Sequence, residues 1–120
     1  MKVFLVVAGA CLMAAPVFGQ DAGAAGADVG AQVFKSKCQR CHGADGLSHT
    51  LEGKMSGAAV LTDPKIVAMQ DADLTAVVTN GKKKMPAFGK KLTADQITAV
   101  VGYVRTLQKA ATPVPPPPAN

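Results

Sequence analysis

The chain has 120 residues, which is long enough for one domain and too short for two. Three cysteines are too few for a disulfide-stapled scaffold, and 4% aromatic residues argue against a nucleic-acid-binding surface of interleaved basic and aromatic residues. The formal net charge of +5 is modest, so overall charge alone does not select a partner.

Residues 1–19 predict a secretory signal. Lys2 precedes the apolar run VFLVVAGACLM, and the segment ends in AAPVFG, where Val17 and Gly19 suit signal cleavage. The run is shorter than the ~20 apolar residues of a membrane-spanning helix, so we expect export with cleavage near Gly19. Cys11 follows AGA, which weakly resembles a lipoprotein cleavage site, but the apolar run continues beyond it and favours a discarded peptide.

The folded domain is expected at residues 28–111, between a flexible linker at residues 20–27 and a proline-rich tail at residues 112–120. The linker, QDAGAAGA, has no apolar pattern, and the tail, TPVPPPPAN, favours an extended, disordered conformation. With no Trp and one Tyr, the chain has few large side chains for a core. Small domains of this kind commonly need disulfides, a metal or another buried group.

The first predicted helix follows Asp28, a candidate N-cap, and carries Gly30, Val33 and Phe34 at helical spacing. It leads directly into KCQRCHGADG at residues 37–46. A motif of two cysteines and one histidine is therefore expected at the end of a helix.

The motif CQRCH is compatible with three chemistries. Zinc usually takes four ligands in two pairs, and only one cysteine pair is present. A redox dithiol stands at the start of a helix after a strand, whereas here a helix leads into Cys38. Covalent attachment of haem fits the spacing, because Cys38 and Cys41 can form thioethers with two haem vinyl groups and His42 then lies beneath the iron. We therefore expect one haem c, with iron bound by His42.

Further along the chain, a short helical turn is predicted from Pro64, and a helix over ADLTAVVTN is predicted between the cap Asp71 and the stop Gly81. The segments at residues 43–61 and 82–91 are predicted to be loops, because they are rich in Gly and Lys and show no strand alternation.

Met85 is the candidate for the second axial iron ligand. It lies in the loop KKKMPAFG, where Pro86 fixes the backbone and Phe88 can close over the haem ring. A thioether stabilises reduced iron, as an electron carrier with His/Met ligation requires. Other candidates suit the role less, because they lie too near the motif, in a flexible loop or on an apolar helix face: these are His49, Met55 and Met69, in that order.

Five lysines surround Met85 within ten residues: Lys82, Lys83, Lys84, Lys90 and Lys91. Such a cluster is either an ordinary solvated surface or a docking site. Beside an exposed haem edge it would steer an acidic redox partner and make association depend on salt.

The last helix is predicted from a capping box, in which Thr93 is the N-cap and Gln96 is at N3, and from a hydrophobic staple between Leu92 and Ile97. Its apolar residues then recur at spacings of three and four and define one buried face: Ile97, Val100, Val101, Val104 and Leu107.

Together these features resemble the small monohaem class I c-type cytochromes of bacterial periplasms. The resemblance covers about residues 28–109 and includes CQRCHGADG, MPAF and VVGYVRTL. It implies an all-α cytochrome c fold, with three to five helices around one covalent haem and with the first and last helices crossing. Gly30 and Phe34 would then meet Val100 and Tyr103.

The resemblance has one departure, because the family often places a proline after the motif whose carbonyl receives the N–H of the axial histidine. Ala59 holds the corresponding place here, with Pro64 as the alternative. A backbone carbonyl survives the exchange, so we expect the hydrogen bond to His42 to persist.

The sequence thus predicts a monomeric periplasmic electron carrier that is not an enzyme. One alternative is a gas- or peroxide-reactive haem protein in which Met85 leaves the iron easily. Another is an electron-transfer subunit of a larger oxidoreductase, for which the proline-rich tail is the only hint.

Overall fold

The computed structural model describes residues 22–111, and this part of the chain is all-α. Its elements are α1 (Ala22–Val33), a π-helical segment (Phe34–Cys38), α2 (Gln39–His42), α3 (Leu51–Ser56), α4 (Pro64–Val67), α5 (Asp71–Asn80) and α6 (Ala94–Ala111). Over the same residues, extended pairing is limited to one isolated bridge between Lys82 and Met85. The predicted all-α class is confirmed, with six α-helical segments where three to five were expected.

The expected signal segment, Cys11 and the proline-rich tail lie outside the described residues. Within residues 22–111, no helix combines the length and the apolar character needed to cross a membrane.

The start of α1 corrects the sequence prediction. The helix begins at Ala22, so Asp28 lies inside it and most of the segment expected to be a flexible linker is helical. That segment lacks an apolar pattern, but alanine has the highest intrinsic helix propensity. The first turns of α1 can form through this propensity without burying an apolar face. The apolar periodicity of the sequence therefore could not predict them.

α1 and α6 cross, as expected, and their crossing forms the centre of the core. Phe34 and Val100 are the most completely buried large side chains of the described chain. The rings of Phe34 and Tyr103 pack with their centroids 5.2 Å apart. The surrounding cluster also contains Val33, Phe88, Leu92 and Ile97.

Gly30 allows this close crossing, because a Cβ at this position would lie 2.2 Å from the carbonyl oxygen of Ala99. We expect Gly30→Ala to destabilise the protein by about 2–3 kcal/mol, since two helix backbones would have to separate. Gly26→Ala is the matched control on the same helix, where a Cβ meets nothing within 4 Å and would stabilise by up to ~1 kcal/mol. Chemical denaturation of the haem-loaded protein measures both changes, and equal effects would contradict the proposed role of Gly30.

The beginning of α6 is confirmed in detail. The Thr93 N–H donates to Gln96 Oε1 at 2.9 Å, and the Gln96 N–H donates to Thr93 Oγ1 at 3.2 Å. Leu92 and Ile97, the two members of the predicted staple, are both buried in the core. Local capping chemistry and apolar periodicity therefore fix this helix from sequence alone.

The predicted loop at residues 43–61 is corrected, because it contains α3. Thr50 caps this helix by accepting a hydrogen bond from the Gly53 N–H at 2.9 Å. Gly53 and Gly57 had indicated a loop. In the structure Gly53 lies inside the helix, where a Cβ would come within 2.2 Å of the Cys41 carbonyl oxygen.

α5 begins at Asp71, so its N-cap is Gln70, one residue earlier than predicted. The helical turn at Pro64 is confirmed, with Asp63 as a side-chain cap. Both elements are tied to α6 by Arg105, whose guanidinium donates to the Asp71 carboxylate at 2.8 Å and to the backbone carbonyls of Val67 and Met69.

Candidate functional site

The cysteine-histidine motif lies where the first helical unit ends. Cys38 is the last residue of the π-helical segment, and Cys41 and His42 belong to α2. α2 stops at Gly43, whose φ of +76° is readily available only to glycine. The prediction that the motif stands at a helix end is confirmed.

The two thiols are free, and their surroundings disfavour a redox dithiol. Burial, assisted by repulsion from Cys41, raises the pKa of Cys38 to about 11. A reactive dithiol requires the opposite, a thiolate stabilised by a lowered pKa. No group of three or more His, Cys, Asp or Glu side chains that could hold a metal ion occurs within residues 22–111, so these residues give zinc no four-ligand site either.

His42 is held in a defined tautomer. Its Nδ1 lies 3.0 Å from the carbonyl oxygen of Ala59, and because a carbonyl only accepts, Nδ1 must carry the proton. The expected hydrogen bond to Ala59 is thus confirmed, and Pro64 is not the partner. Burial lowers the pKa of His42, against the opposing effect of this hydrogen bond. The imidazole is therefore favoured in its neutral form, with the lone pair on Nε2.

α3 braces the backbone of the motif. The Thr50 hydroxyl lies 2.7 Å from the carbonyl oxygen of Arg40 and 3.2 Å from that of Cys41, which are acceptors at the end of α2. Because Gly53 lacks a side chain, the helix can approach Cys41 closely. Sequence reasoning missed this support, although a Thr three residues before Gly53 is a recognisable N-cap signal.

Met85 lies in a tight turn between α5 and α6. Its N–H donates to the Lys82 carbonyl at 2.9 Å, and its carbonyl accepts from the Lys82 N–H at 3.1 Å. Gly81 closes α5 with a φ of +75° but an extended ψ of 170°, so it is not the left-handed stop that was predicted. A Cβ on Gly81 would lie 2.7 Å from the Met85 carbonyl oxygen, so glycine is needed for the chain to fold back.

Met85 and Cys38 are half-buried and pack against the same core cluster. The other predicted candidates lie elsewhere: the side chains of Met55 and His49 are exposed, and Met69 is half-buried but is not among the residues packed against this cluster. Among the methionines in residues 22–111, Met85 alone is brought to the core beside the motif. The expectation that Met69 lies on an apolar helix face is also wrong, because α4 ends at Val67.

The side chains of all five lysines around Met85 are exposed. Two of them have intramolecular contacts: Lys84 Nζ donates to the Met55 carbonyl at 3.0 Å, and Lys91 Nζ lies 5.7 Å from the centre of the Phe88 ring. The cluster therefore projects into solvent around the turn that carries Met85.

The donor set fits a covalently bound haem. Two unpaired thiols with the required spacing, a neutral imidazole with a fixed tautomer and a thioether at the same core are the groups that c-type haem attachment and axial ligation use. Large apolar side chains near the motif are also unusually exposed, with Leu51 and Met55 at 70%. A small chain with so few core residues is suited to a large apolar prosthetic group.

Comparison with known proteins identifies the family of the chain. Residues 25–104 match the family described as "Cytochrome C oxidase, cbb3-type, subunit III". The chain is 41% identical over 100 residues to cytochrome c6 of Gloeothece citriformis, covering 79% of this chain and 77% of that protein. It is also 41% identical over 108 residues to cytochrome c6 of Rippkaea orientalis, covering 85% and 86% respectively. The chain therefore belongs to the small monohaem class I c-type cytochromes, which bind haem c covalently and act as electron carriers rather than enzymes.

Proposed function

We propose that the protein is a periplasmic one-electron carrier in which Cys38 and Cys41 hold the haem and His42 and Met85 are the axial iron ligands. The observation that most directly supports this proposal is the hydrogen bond from His42 Nδ1 to the Ala59 carbonyl at 3.0 Å. With its proton fixed on Nδ1, the ring has Nε2 free to bind metal, and the hydrogen bond raises its basicity as a ligand.

When bound, the haem iron supplies one-electron chemistry between its ferrous and ferric states. The residues of this chain then have separate roles. Cys38 and Cys41 fix the position of the group, and His42 is oriented by Ala59. Met85 would be presented by a turn whose backbone is paired with Lys82, which keeps residue 85 packed against the core cluster.

The absorption spectrum of protein purified from cells with haem-attachment machinery tests this proposal. We expect the visible bands of a thioether-linked haem in the reduced protein and a weak near-infrared band from methionine ligation in the oxidised protein. A colourless product that contains zinc would refute the proposal. A haem spectrum without the methionine band would agree with the roles of Cys38, Cys41 and His42 and would exclude Met85 as an iron ligand.

We further propose that an acidic redox partner docks at the lysine cluster. All five side chains are exposed, and like charges gathered around Met85 would attract an acidic surface from a distance. The Debye length is about 10 Å at 0.1 M ionic strength, so this attraction should weaken steeply as salt is added.

Lys82→Glu/Lys83→Glu should lower adsorption to a carboxylate-terminated gold electrode on the order of tenfold at low salt. Lys84 is kept because it bonds to the Met55 carbonyl. Lys65→Glu/Lys109→Glu is the control, since it changes the net charge equally at exposed positions outside the cluster. Voltammetry measures adsorption and midpoint potential together. Equal losses in the two double variants would show that only net charge matters and would remove the docking site.

We also propose a domain organisation with a signal at residues 1–19, a cytochrome domain at residues 28–111 that α1 extends back to Ala22, and a proline-rich tail at residues 112–120. The mature protein would then be a periplasmic monomer with Gln20 near its start. The mass of the exported protein and its elution volume in size-exclusion chromatography test these points. An N-terminal lipid at Cys11 would appear as a larger mass.

A second candidate function is that of a subunit in a larger oxidoreductase. The description of the matched family names a subunit of an oxidase, which is the observation that favours it. Purification of the native protein at low salt distinguishes the two, because a subunit would elute with partner chains and a free carrier would elute alone.

A further inference from the structure

Ser48 is the least expected residue near His42. It is only 7% exposed, and it has a φ of +56°, which is uncommon for a residue other than glycine. Its N–H donates to the His42 carbonyl at 2.8 Å, which closes the turn after α2. Its hydroxyl donates to the Ala59 carbonyl at 2.6 Å.

Two donors therefore meet at one acceptor. The Ala59 carbonyl oxygen receives the Ser48 hydroxyl at 2.6 Å and the His42 ring N–H at 3.0 Å. A carbonyl oxygen has two lone pairs and can accept both bonds. However, each donor draws on the same electron density, so the shorter bond from Ser48 weakens the longer bond from His42.

We propose that Ser48 is a positioning residue that tunes the iron through this shared carbonyl. Its hydroxyl competes with the His42 ring N–H for the Ala59 carbonyl and so limits how strongly that carbonyl accepts from His42. A weaker hydrogen bond at Nδ1 makes the imidazole a less basic ligand, which favours ferrous over ferric iron. The Ser48 hydroxyl therefore raises the reduction potential. This inference rests on the proposed role of His42 as an axial ligand.

The segment after Ala59 is held independently of Ser48. The Leu61 N–H donates to the Gly46 carbonyl at 2.8 Å, and the Leu61 carbonyl accepts from the buried side chain of Gln108 at 2.8 Å. Gln108 in turn accepts from Arg105 at 2.8 Å. Since α6 anchors this segment, loss of the Ser48 hydroxyl should change the hydrogen bonding of Ala59 without releasing the loop.

Two substitutions distinguish the effect of the Ser48 hydroxyl from the effect of its backbone conformation. Ser48→Ala removes the hydroxyl and keeps a side chain at the positive φ, whereas Ser48→Gly removes the hydroxyl and relieves the backbone. Ser56→Ala is the matched control, because the Ser56 hydroxyl makes a similar bond, 2.7 Å long, to the Glu52 carbonyl within α3. This control touches neither Ala59 nor His42.

In both Ser48 variants we expect the ratio of reduced to oxidised protein, at a fixed electrode potential, to fall about threefold. This is a drop of about 30 mV in midpoint potential, at 59 mV per tenfold for one electron. The ring N–H signal of His42 in the proton NMR spectrum of the reduced protein should move downfield, because its hydrogen bond shortens. Ser56→Ala should change neither quantity.

Unchanged potentials in both Ser48 variants, or a rise in potential, would overturn the inference. A rise would mean that the hydroxyl serves to hold the carbonyl against His42 rather than to compete with it. Failure of the proposed function would look different, because the unsubstituted protein would then lack a haem spectrum or a His42 ring N–H signal before any substitution is made.

Discussion

Cys38→Ala/Cys41→Ala should leave the chain without a cooperative fold. The described core has few buried apolar side chains, and the aromatic ones among them are Phe34 and Phe88. A domain of this size buries too little surface of its own to offset the loss of chain entropy. Covalent haem would supply a large apolar surface at the cluster against which Cys38 and Met85 pack. We therefore expect haem attachment and folding of the chain to be coupled, as metal binding and folding are in small metal-dependent domains.

Circular dichroism during urea titration measures this loss. Truncation of two half-buried thiols would by itself cost only a few kcal/mol, so complete unfolding would point to the missing haem. The matched control is the unsubstituted chain from cells without haem-attachment machinery, which keeps both thiols and should unfold equally. A sigmoidal transition in either haem-free protein would show that the helices form a sufficient core alone.

The parts of the fold that were predictable are those in which local chemistry and tertiary packing agree. The capping box of Thr93 and Gln96 and the periodic face of α6 are visible within a few residues of sequence. α3 was not predicted because a glycine within a short segment usually indicates a loop. In the fold, Gly53 is needed for a tertiary contact, since it leaves room for the carbonyl of Cys41, twelve residues earlier in the chain.

The candidate site shows the same division. The spacing of Cys38, Cys41 and His42 is enough to predict haem attachment from the sequence. The resemblance to a family predicted that the Ala59 carbonyl is the hydrogen-bond partner of His42. Ser48 gave no such signal. Its bond to Ala59 spans eleven residues and depends on a buried turn with positive φ, which only the folded chain brings together.

Met85→Ala should convert the carrier into a protein with an accessible iron. The backbone of residue 85 is held by Lys82, and the turn is further fixed to α5 by hydrogen bonds from the Phe88 and Gly89 N–H groups to Val78 and Thr79. Loss of the side chain should therefore leave the fold intact. Because a thioether stabilises reduced iron, the midpoint potential should fall on the order of 0.1–0.2 V, a fraction of the ~0.8 V that axial ligands span.

Carbon monoxide added to the reduced protein distinguishes a stable ligand from a labile one. The unsubstituted protein should bind it slowly if Met85 stays on the iron, whereas Met85→Ala should bind it rapidly and tightly. Met69→Ala is the matched control, since Met69 is also half-buried but lies outside the group packed on the core cluster. Rapid binding by the unsubstituted protein would favour a gas- or peroxide-reactive function. If Met69→Ala lost the near-infrared band, the iron ligand would be Met69. The turn at Met85 would then have only a structural role.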